Sequence, residues 1–385
     1  MKATVSKTVI PSYRDRGFES HPLRQTSQKR GAIFQAFDCG GRERLMGEKT
    51  VNLVLMGFGN VGRAFFALLL EKAEFVRRKY GLDLRLRAIF ELNGGLFSPS
   101  SINQEDVTGN SPAELACSPL WNTALSLETV LREIAAGVLV ECTPSDIKTG
   151  GPGLGHIRAA LDNGWHVATA NKGPLAVDLK DLKERAERNR VKLKSSGATA
   201  AALPTLDIGL ISLAGVEILA VEAILNGTTN FILGRMEQGM GFSKALKEAQ
   251  AKGIAERDAR LDVEGWDTAV KLLLIVNTVM GLSLSLDDIK VQGITNVTRS
   301  IFEGARKEGK VVKLLGKARR QDGEISAEVS VSAIDRSHPL FGVDGTNKGV
   351  VYTTDTMGAI AVTGGKSDPR GAAAALLKDI INIYR

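Results

Sequence analysis

Cysteine is nearly absent. Cys39, Cys117 and Cys142 are the only three in 385 residues. They stand far apart and form no CxxC pair, so a reducing compartment fits better than a disulfide framework. Histidine is equally scarce, with four in the chain. None has HxxxH-like spacing, and a zinc site finds no support. Long apolar runs are missing too. The longest, within 272–286, is broken by Asn277 and several serines. It is too short and too polar to span a bilayer and reads as a core helix. No secretory apolar region occurs. These absences leave a cytoplasmic protein with no membrane partner as the expectation.

Charge of one sign is also missing from most of the chain. The formal net charge of +7 is concentrated in residues 1–50, with ten Lys/Arg against five Asp/Glu; the remainder carries 40 against 38. A balanced body does not make a nucleic-acid surface, so no nucleic-acid partner is expected. The 43% hydrophobic content is that of a globular protein, and the length suffices for two domains.

Residues 1–48 show no sustained apolar period. They read as a basic, disordered extension. Five acids argue against a transit peptide. A third reading comes from the genetic code. "GFES" can be encoded by GGN-TTC-GAA-TCN, which resembles the T-arm consensus of a transfer-RNA gene, and "RGFESHPLRQ" looks like such a gene in translation. On that reading the start is over-extended and Met46 begins the protein.

From Val51 the pattern becomes regular. "VNLVLMG" is a buried parallel strand, followed by a long helix through "RAFFALLLEKAEFVRRKY" and a strand, "LRLRAIFE", ending at Glu91. Ser126 caps a helix, "GVLVECT" is a strand, Pro152 opens a helix that Gly164 ends, "HVATA" is a strand, and Asp178 caps a helix to about Arg190. Strands alternating with helices predict a mostly parallel sheet. After about residue 195 the elements change. "VEILAVEAIL", "GKVVKLLGKARR" and "EISAEVSVSAI" alternate like strands, Ser243 caps a helix, and "AAAALLKDIINIY" is a terminal amphipathic helix.

"GFGNVG" sits between a strand and a helix. Gly57 permits the tight turn, Gly59 lets backbone approach a pyrophosphate, and Gly62 allows close packing, with Asn60 and Val61 opening the helix whose N–H groups face the anion. The alternative is a plain βα turn. Glu91, ending the next strand, is placed to accept from the adenosine ribose hydroxyls. That placement leans towards NAD over NADP, because a carboxylate repels a 2′-phosphate. Lys172 follows a buried strand, at the edge where open α/β sheets bind ligands; the alternative is a solvated loop lysine. Thr143 holds a comparable position. Asp267 and Lys271 are spaced i,i+4, which on its own describes a surface salt bridge of ~0.3–0.5 kcal/mol.

The motifs "GFGNVG", "ECTPSD", "TANKGPLA", "LNGTTNFIL" and "AQAKGIAERDARLDVEGWDTAVKL", with a Gly-rich C-terminal turn, occur in this order. Together they closely resemble homoserine dehydrogenase from about Val51 onwards, in its short form without kinase or regulatory regions. The resemblance implies reversible NAD(P)H-dependent reduction of L-aspartate 4-semialdehyde to L-homoserine. It matches Lys271 to the proton donor, with Lys172 at the junction of cofactor and substrate. Glu256 and Asp267 match substrate-holding carboxylates. Thr143, Gly253 and Gly365 match cofactor contacts. On this reading Asp267 and Lys271 make a site, since hydride attack leaves an alkoxide-like oxygen that an ammonium can protonate.

Two departures stand out. The family usually has a glutamate beside a bound sodium ion, where this chain reads "SSGATAAALP" with Ser196. Only Ser196 and the carbonyls of Thr199, Ala201 and Leu203 are left as candidate ligands, so a monovalent cation is in doubt. The substrate motif also has Ala259 for a proline and Leu261-Asp262 for a double acid.

The expected fold is α/β: a Rossmann-type nucleotide-binding domain over 49–190 with 350–385, and a mixed-sheet substrate and dimerisation domain over 191–349, assembled as a homodimer. The rival functions are another amino-acid dehydrogenase on the same nucleotide fold, and a dinucleotide-sensing protein without turnover.

Overall fold

The computed structural model describes residues 36–37, 43–44 and 48–385, except 108, 110, 322 and 366. In a first unit, Met1–Met46, Ala36–Phe37 pairs antiparallel with Glu43–Arg44. Disorder of the extension and a start at Met46 are expectations that fall outside the described residues. Gly47–Arg385 forms the second unit.

Strand β1 (Lys49–Met56) is buried from Val51 onwards, and its side chains alternate between two cores. Leu53 and Leu55 face α1 (Asn60–Tyr80) and α6 (Pro369–Tyr384) through Phe65, Leu69, Leu376 and Ile380. Val54 and Met56 face the opposite way, towards Ile157 and Leu161 of α2 (Gly151–Asp162) and Leu182 of α3 (Gly173–Arg188). Each fully buried leucine or valine contributes roughly 1.5–3 kcal/mol. A strand covered on both faces needs the unbroken apolar run seen in the sequence.

The first sheet has seven strands, with β2 (Leu82–Glu91), β3 (Gly94–Phe97), β4 (Trp121–Asn122), β5 (Val138–Glu141), β6 (His166–Thr169) and β7 (Leu193–Lys194) in the order β4-β3-β2-β1-β5-β6-β7. The run from β2 to β7 is parallel, and β3 and β4 add an antiparallel edge. The order reverses direction at β1, and the crevice beyond β1 and β5 is where such sheets take ligands.

The second sheet has six strands: β8 (Ile218–Ile224), β9 (Lys290–Val291), β10 (Val311–Gln321), β11 (Glu324–Ile334), β12 (Lys348–Thr354) and β13 (Ala359–Gly364), ordered β9-β11-β10-β8-β12-β13. It is mixed, since β9 runs parallel to β11 and the other pairs are antiparallel. The return to the first sheet expected at residue 350 therefore comes later. Strands β12 and β13 belong to the second sheet, and only α6 packs back on the first. Period-2 alternation marks a strand without saying which sheet it joins.

Asp178 does begin a helical segment, but not the first one after β6. α3 already runs from Gly173, and Asp178 is a kink inside it with φ −150° and ψ 46°. Ser243 lies one residue inside Phe242–Ala251, whose N-cap is Gly241.

Helix α5 (Trp266–Val279) explains its own apolar sequence. Leu272, Leu273 and Val276 lie in the core of the second sheet, while Val270 and Leu274 lie in a core of the first. A helix wedged between two cores is hydrophobic all round. Its only charged residues, Asp267 and Lys271, lie in its first two turns.

Candidate active site

The glycine loop follows from backbone sterics. Gly57 has φ 86°, and a Cβ there would lie 3.0 Å from Cys142 and Thr143 backbone. A Cβ on Gly62 would lie 2.1 Å from the Gly57 carbonyl oxygen, so only glycine lets α1 pack this close. Gly59 has nothing within 4 Å of a Cβ position, which leaves open space in front of the helix N-terminus at Asn60 and Val61. That cradle fits a dinucleotide pyrophosphate. The Glu91 carboxylate accepts from the Phe58 N–H inside the loop, so the end of β2 is tied to the cradle.

Thr143 borders this loop and is held from below. Glu141, fully buried at the end of β5, accepts from the Thr143 N–H at 2.7 Å and from its hydroxyl. The same carboxylate pairs with His156 Nδ1 at 2.9 Å. Asn171 Nδ2 donates to Thr143 Oγ1 at 3.1 Å. The next residue, Lys172, sits beyond β6 as the N-cap of α3, and its N–H donates to Ser145 Oγ at 3.1 Å.

Across the crevice, Gly265 (φ 90°) turns the chain into α5. Asp267 and Lys271 then share one face a turn apart. Lys271 Nζ donates to Asp267 Oδ2 at 2.5 Å and to the Leu225 carbonyl at 3.1 Å. Lys172 Nζ lies 3.5 Å from Asp267 Oδ1. The Asp267 side chain is only 12% exposed, which rules out the surface-salt-bridge reading. Burial alone would raise its carboxyl pKa. The ammoniums of Lys271 and Lys172, with hydrogen bonds from Lys271 and Asn226, overcome burial and hold it well below the usual carboxylate range.

Two members of this cluster, Asn226 and Lys348, were not singled out in the sequence, and a third, Asp262, was noted only as the acid left where the motif usually has two. Asn226 caps α4 (Gly227–Glu237) through its oxygen, accepting from the Thr229 N–H at 2.9 Å. Its Nδ2 donates to Asp262 Oδ1 at 2.6 Å and Asp267 Oδ2 at 2.8 Å. Burial, and then Asp267, push the Asp262 carboxyl up. Lys348 on β12 is 3% exposed, and its Nζ donates to the Ala200 carbonyl at 2.7 Å. Burial first, then the charge of Lys271, press the Lys348 ammonium down to about 7. The signals for Asn226 and Lys348 were faint: an asparagine before a helix, and a lysine before the apolar-leaning run 349–354.

The other candidates lie in loops and turns. Glu256 is exposed, and its backbone carbonyl accepts from Gln250 at 3.2 Å. Gly253, φ 67°, lies in the exposed turn after Phe242–Ala251. Gly365, φ 76°, packs on the turn at Ala202 and Leu203, where a Cβ would come within 2.7 Å of the Leu203 nitrogen.

Comparison with known proteins agrees with this geometry. The homoserine dehydrogenase NAD-binding domain profile matches residues 57–195, and the homoserine dehydrogenase profile matches residues 204–381. The homoserine dehydrogenase of Methanocaldococcus jannaschii is 36% identical over 341 residues, covering 87% of this chain and 98% of that one. The NAD(+)-dependent homoserine dehydrogenase of Pseudomonas canavaninivorans is 34% identical, covering 86% and 96%. A crystal structure of a homoserine dehydrogenase from Thiobacillus denitrificans superposes with a TM-score of 0.75 at 28% identity, covering 88% of this chain and 74% of that one. With both profiles matched in order along the glycine-loop sheet and the Asp267–Lys271 helix, the chain belongs to the homoserine dehydrogenase family, the NAD(P)-dependent oxidoreductases acting on a CH–OH group.

Proposed function

We propose that Lys271 is the proton donor of the family's reaction, the reversible conversion of L-aspartate 4-semialdehyde to L-homoserine. The observation that carries this is the partly buried Lys172–Asp267–Lys271 cluster, which joins the ligand-binding edge of the first sheet to the start of α5. Bound NAD(P)H supplies the hydride. As the aldehyde carbon receives it, the carbonyl electron pair moves to oxygen. The Lys271 ammonium stabilises that oxygen and delivers a proton; in reverse, the neutral amine takes the hydroxyl proton. Asp267 orients Lys271 and, with Asp262 and Glu256, offers carboxylates to the substrate ammonium. Lys172 spans the boundary between cofactor and substrate.

Gly57, Gly59, Asn60, Val61 and Gly62 hold the pyrophosphate in this proposal. Glu91 takes the ribose hydroxyls with a lean towards NAD, and Thr143, Gly253 and Gly365 line the cofactor. Residues 49–190 with α6 serve the cofactor, and the second sheet serves substrate and self-association. β13 supports a homodimer, because it is an edge strand whose outer side pairs with no described strand. Among the described residues no helix is long and apolar enough to cross a membrane, and a cytoplasmic enzyme of threonine and methionine biosynthesis accords with that.

Homoserine-dependent reduction of NAD⁺ or NADP⁺ by purified protein tests the reading. Lys271→Ala lowers kcat by ~10²–10³-fold, since its interaction is strongest with the developing oxyanion. Absence of turnover in the wild type, or near-normal kcat in the variant, overturns the assignment.

A further inference from the structure

The monovalent-cation position implied by the resemblance does not fit a free ion in this chain. Ser196 replaces the usual glutamate, and its hydroxyl is already engaged. Ser196 Oγ donates to Asp379 Oδ1 at 2.8 Å and accepts from Lys378 Nζ at 2.9 Å, and the Ser196 N–H donates to Asp379 Oδ2 at 2.9 Å. Lys378 also pairs with Asp207 and lies 3.2 Å from Asp379 Oδ1. Asp379 is fully buried, and Ser196 is 3% exposed. Of the candidate carbonyls, that of Leu203 accepts from the Thr205 N–H at 2.8 Å. The Ala200 carbonyl, between the candidates Thr199 and Ala201, is taken by Lys348.

We propose that the ammonium of Lys378 is a tethered replacement for the family's monovalent cation, and that this enzyme needs no diffusible one. The charges support the exchange. An ion held by a glutamate neutralises that acid and draws loop oxygens together. Here the positive charge arrives on α6, and the acid that would have required an ion is a neutral hydroxyl. Asp207 and Asp379 already give the single ammonium two carboxylates. A third acid at 196 would add negative charge that one ammonium cannot match, so serine at 196 and lysine at 378 are complementary. A free cation beside Lys378 would face like-charge repulsion in a poorly solvated place. Because the ammonium is covalently attached, its local concentration does not depend on the medium.

The location gives the exchange a function. The segment 196–207 carries the chain from β7 of the first sheet towards β8 of the second. Lys378 fastens it from α6, and Lys348 fastens it from β12. Two lysine side chains from different elements thus hold one connecting segment.

The test measures unfolding temperature without substrate, and kcat/KM, in tetramethylammonium chloride. Sodium or potassium then replaces tetramethylammonium at constant ionic strength. The expected result for the wild type is no change in either quantity. Lys378→Met should lose about 5 °C or more in Tm, because it leaves two carboxylates without their cation. Lys378→Arg, which keeps the charge, should lose less than half as much. A saturable rise in wild-type Tm or rate with sodium or potassium overturns the proposal. An unchanged Tm in Lys378→Met does so too, as does an equal loss in both variants, which assigns the side chain to packing. Should Lys378→Met fail to fold, the wild-type titration decides alone. Since Tm is read without substrate, failure here leaves the role of Lys271 untouched.

Discussion

Lys172 Nζ and Asp267 Oδ1 lie 3.5 Å apart, one on the loop after β6 and the other on the first turn of α5. This ion pair joins the two halves of the crevice through a carboxylate that Lys271 also holds. Each lysine is thereby fixed on the same carboxylate. Its Asp267 end is largely shielded from solvent, so its geometry matters more than an exposed i,i+4 contact would.

Asp267→Asn keeps the shape and removes the charge. It should raise KM for homoserine more than tenfold and lower kcat as well, because Lys271 loses its orienting partner. The folded-state pKa of Asp267 is depressed, so its stabilising contribution is complete above the ordinary carboxylate value and is lost as pH falls towards the folded one. Unfolding free energy measured against pH should therefore fall less steeply on the acid side in the variant. Removing one partner of a buried pair costs roughly 3–5 kcal/mol at neutral pH. Unchanged KM and an unchanged acid limb would detach Asp267 from the site.

Two glycine variants separate folding from cofactor binding. Gly62→Ala places a methyl against the Gly57 carbonyl and should lower Tm along with activity. Gly59→Ala meets no protein atom, so Tm should hold while KM for the cofactor rises at least tenfold. Thermal unfolding beside cofactor titration distinguishes them, and normal cofactor affinity in Gly59→Ala would move the pyrophosphate elsewhere.

In the proposed assignment, cofactor preference turns on Glu91. Its carboxylate is anchored on the Phe58 N–H, close to the cradle, and the following "LNGGLF" brings no basic residue. NAD(H) should be used at least as well as NADP(H), and Glu91→Ala should shift the kcat/KM ratio towards NADP(H) by about tenfold, the order of one lost charge–charge repulsion. Arg63 is the competing influence. Its guanidinium now bonds the Asn60 side chain at 2.8 Å and the Phe58 carbonyl at 3.3 Å. A strong NADP(H) preference in the wild type would show that Glu91 does not govern the ribose.

Lys348 sets a stability trend on the alkaline side. Burial depresses its folded pKa to about 7 from the ordinary 10.5, with Lys271 and Lys172 acting in the same direction and Asp267 and Asp368 opposing. Between those values the unfolded chain binds the extra proton, so this group's contribution to stability rises with pH over that window. Relative to Lys348→Met, the wild type should gain on the order of a few kcal/mol between pH 7 and pH 10. Denaturant titrations at several pH values give the comparison, and parallel curves for the two proteins would mean the lysine is charged when folded.

Local patterns in the sequence determined much of this protein. The glycine loop is legible because backbone sterics demand glycine at Gly57 and Gly62 whatever surrounds them. The Asp267–Lys271 face is legible because helical spacing is local, and the apolar run after it announces a helix buried on every side. The tertiary structure decided what depends on distant partners. Asn226 reaches Asp262 and Asp267 across 36 and 41 residues, and Ser196 meets Asp379 across 183. Periodicity marks an element and its buried face, but not the neighbour it pairs with. For that reason the chain from about 350 could be expected to rejoin the first sheet, when β12 and β13 pair in the second and only α6 returns. The same reason hides the burial of Lys348 and the reach of Lys378: a lysine in the sequence is a charge on a flexible stem, and only packing fixes where that charge ends.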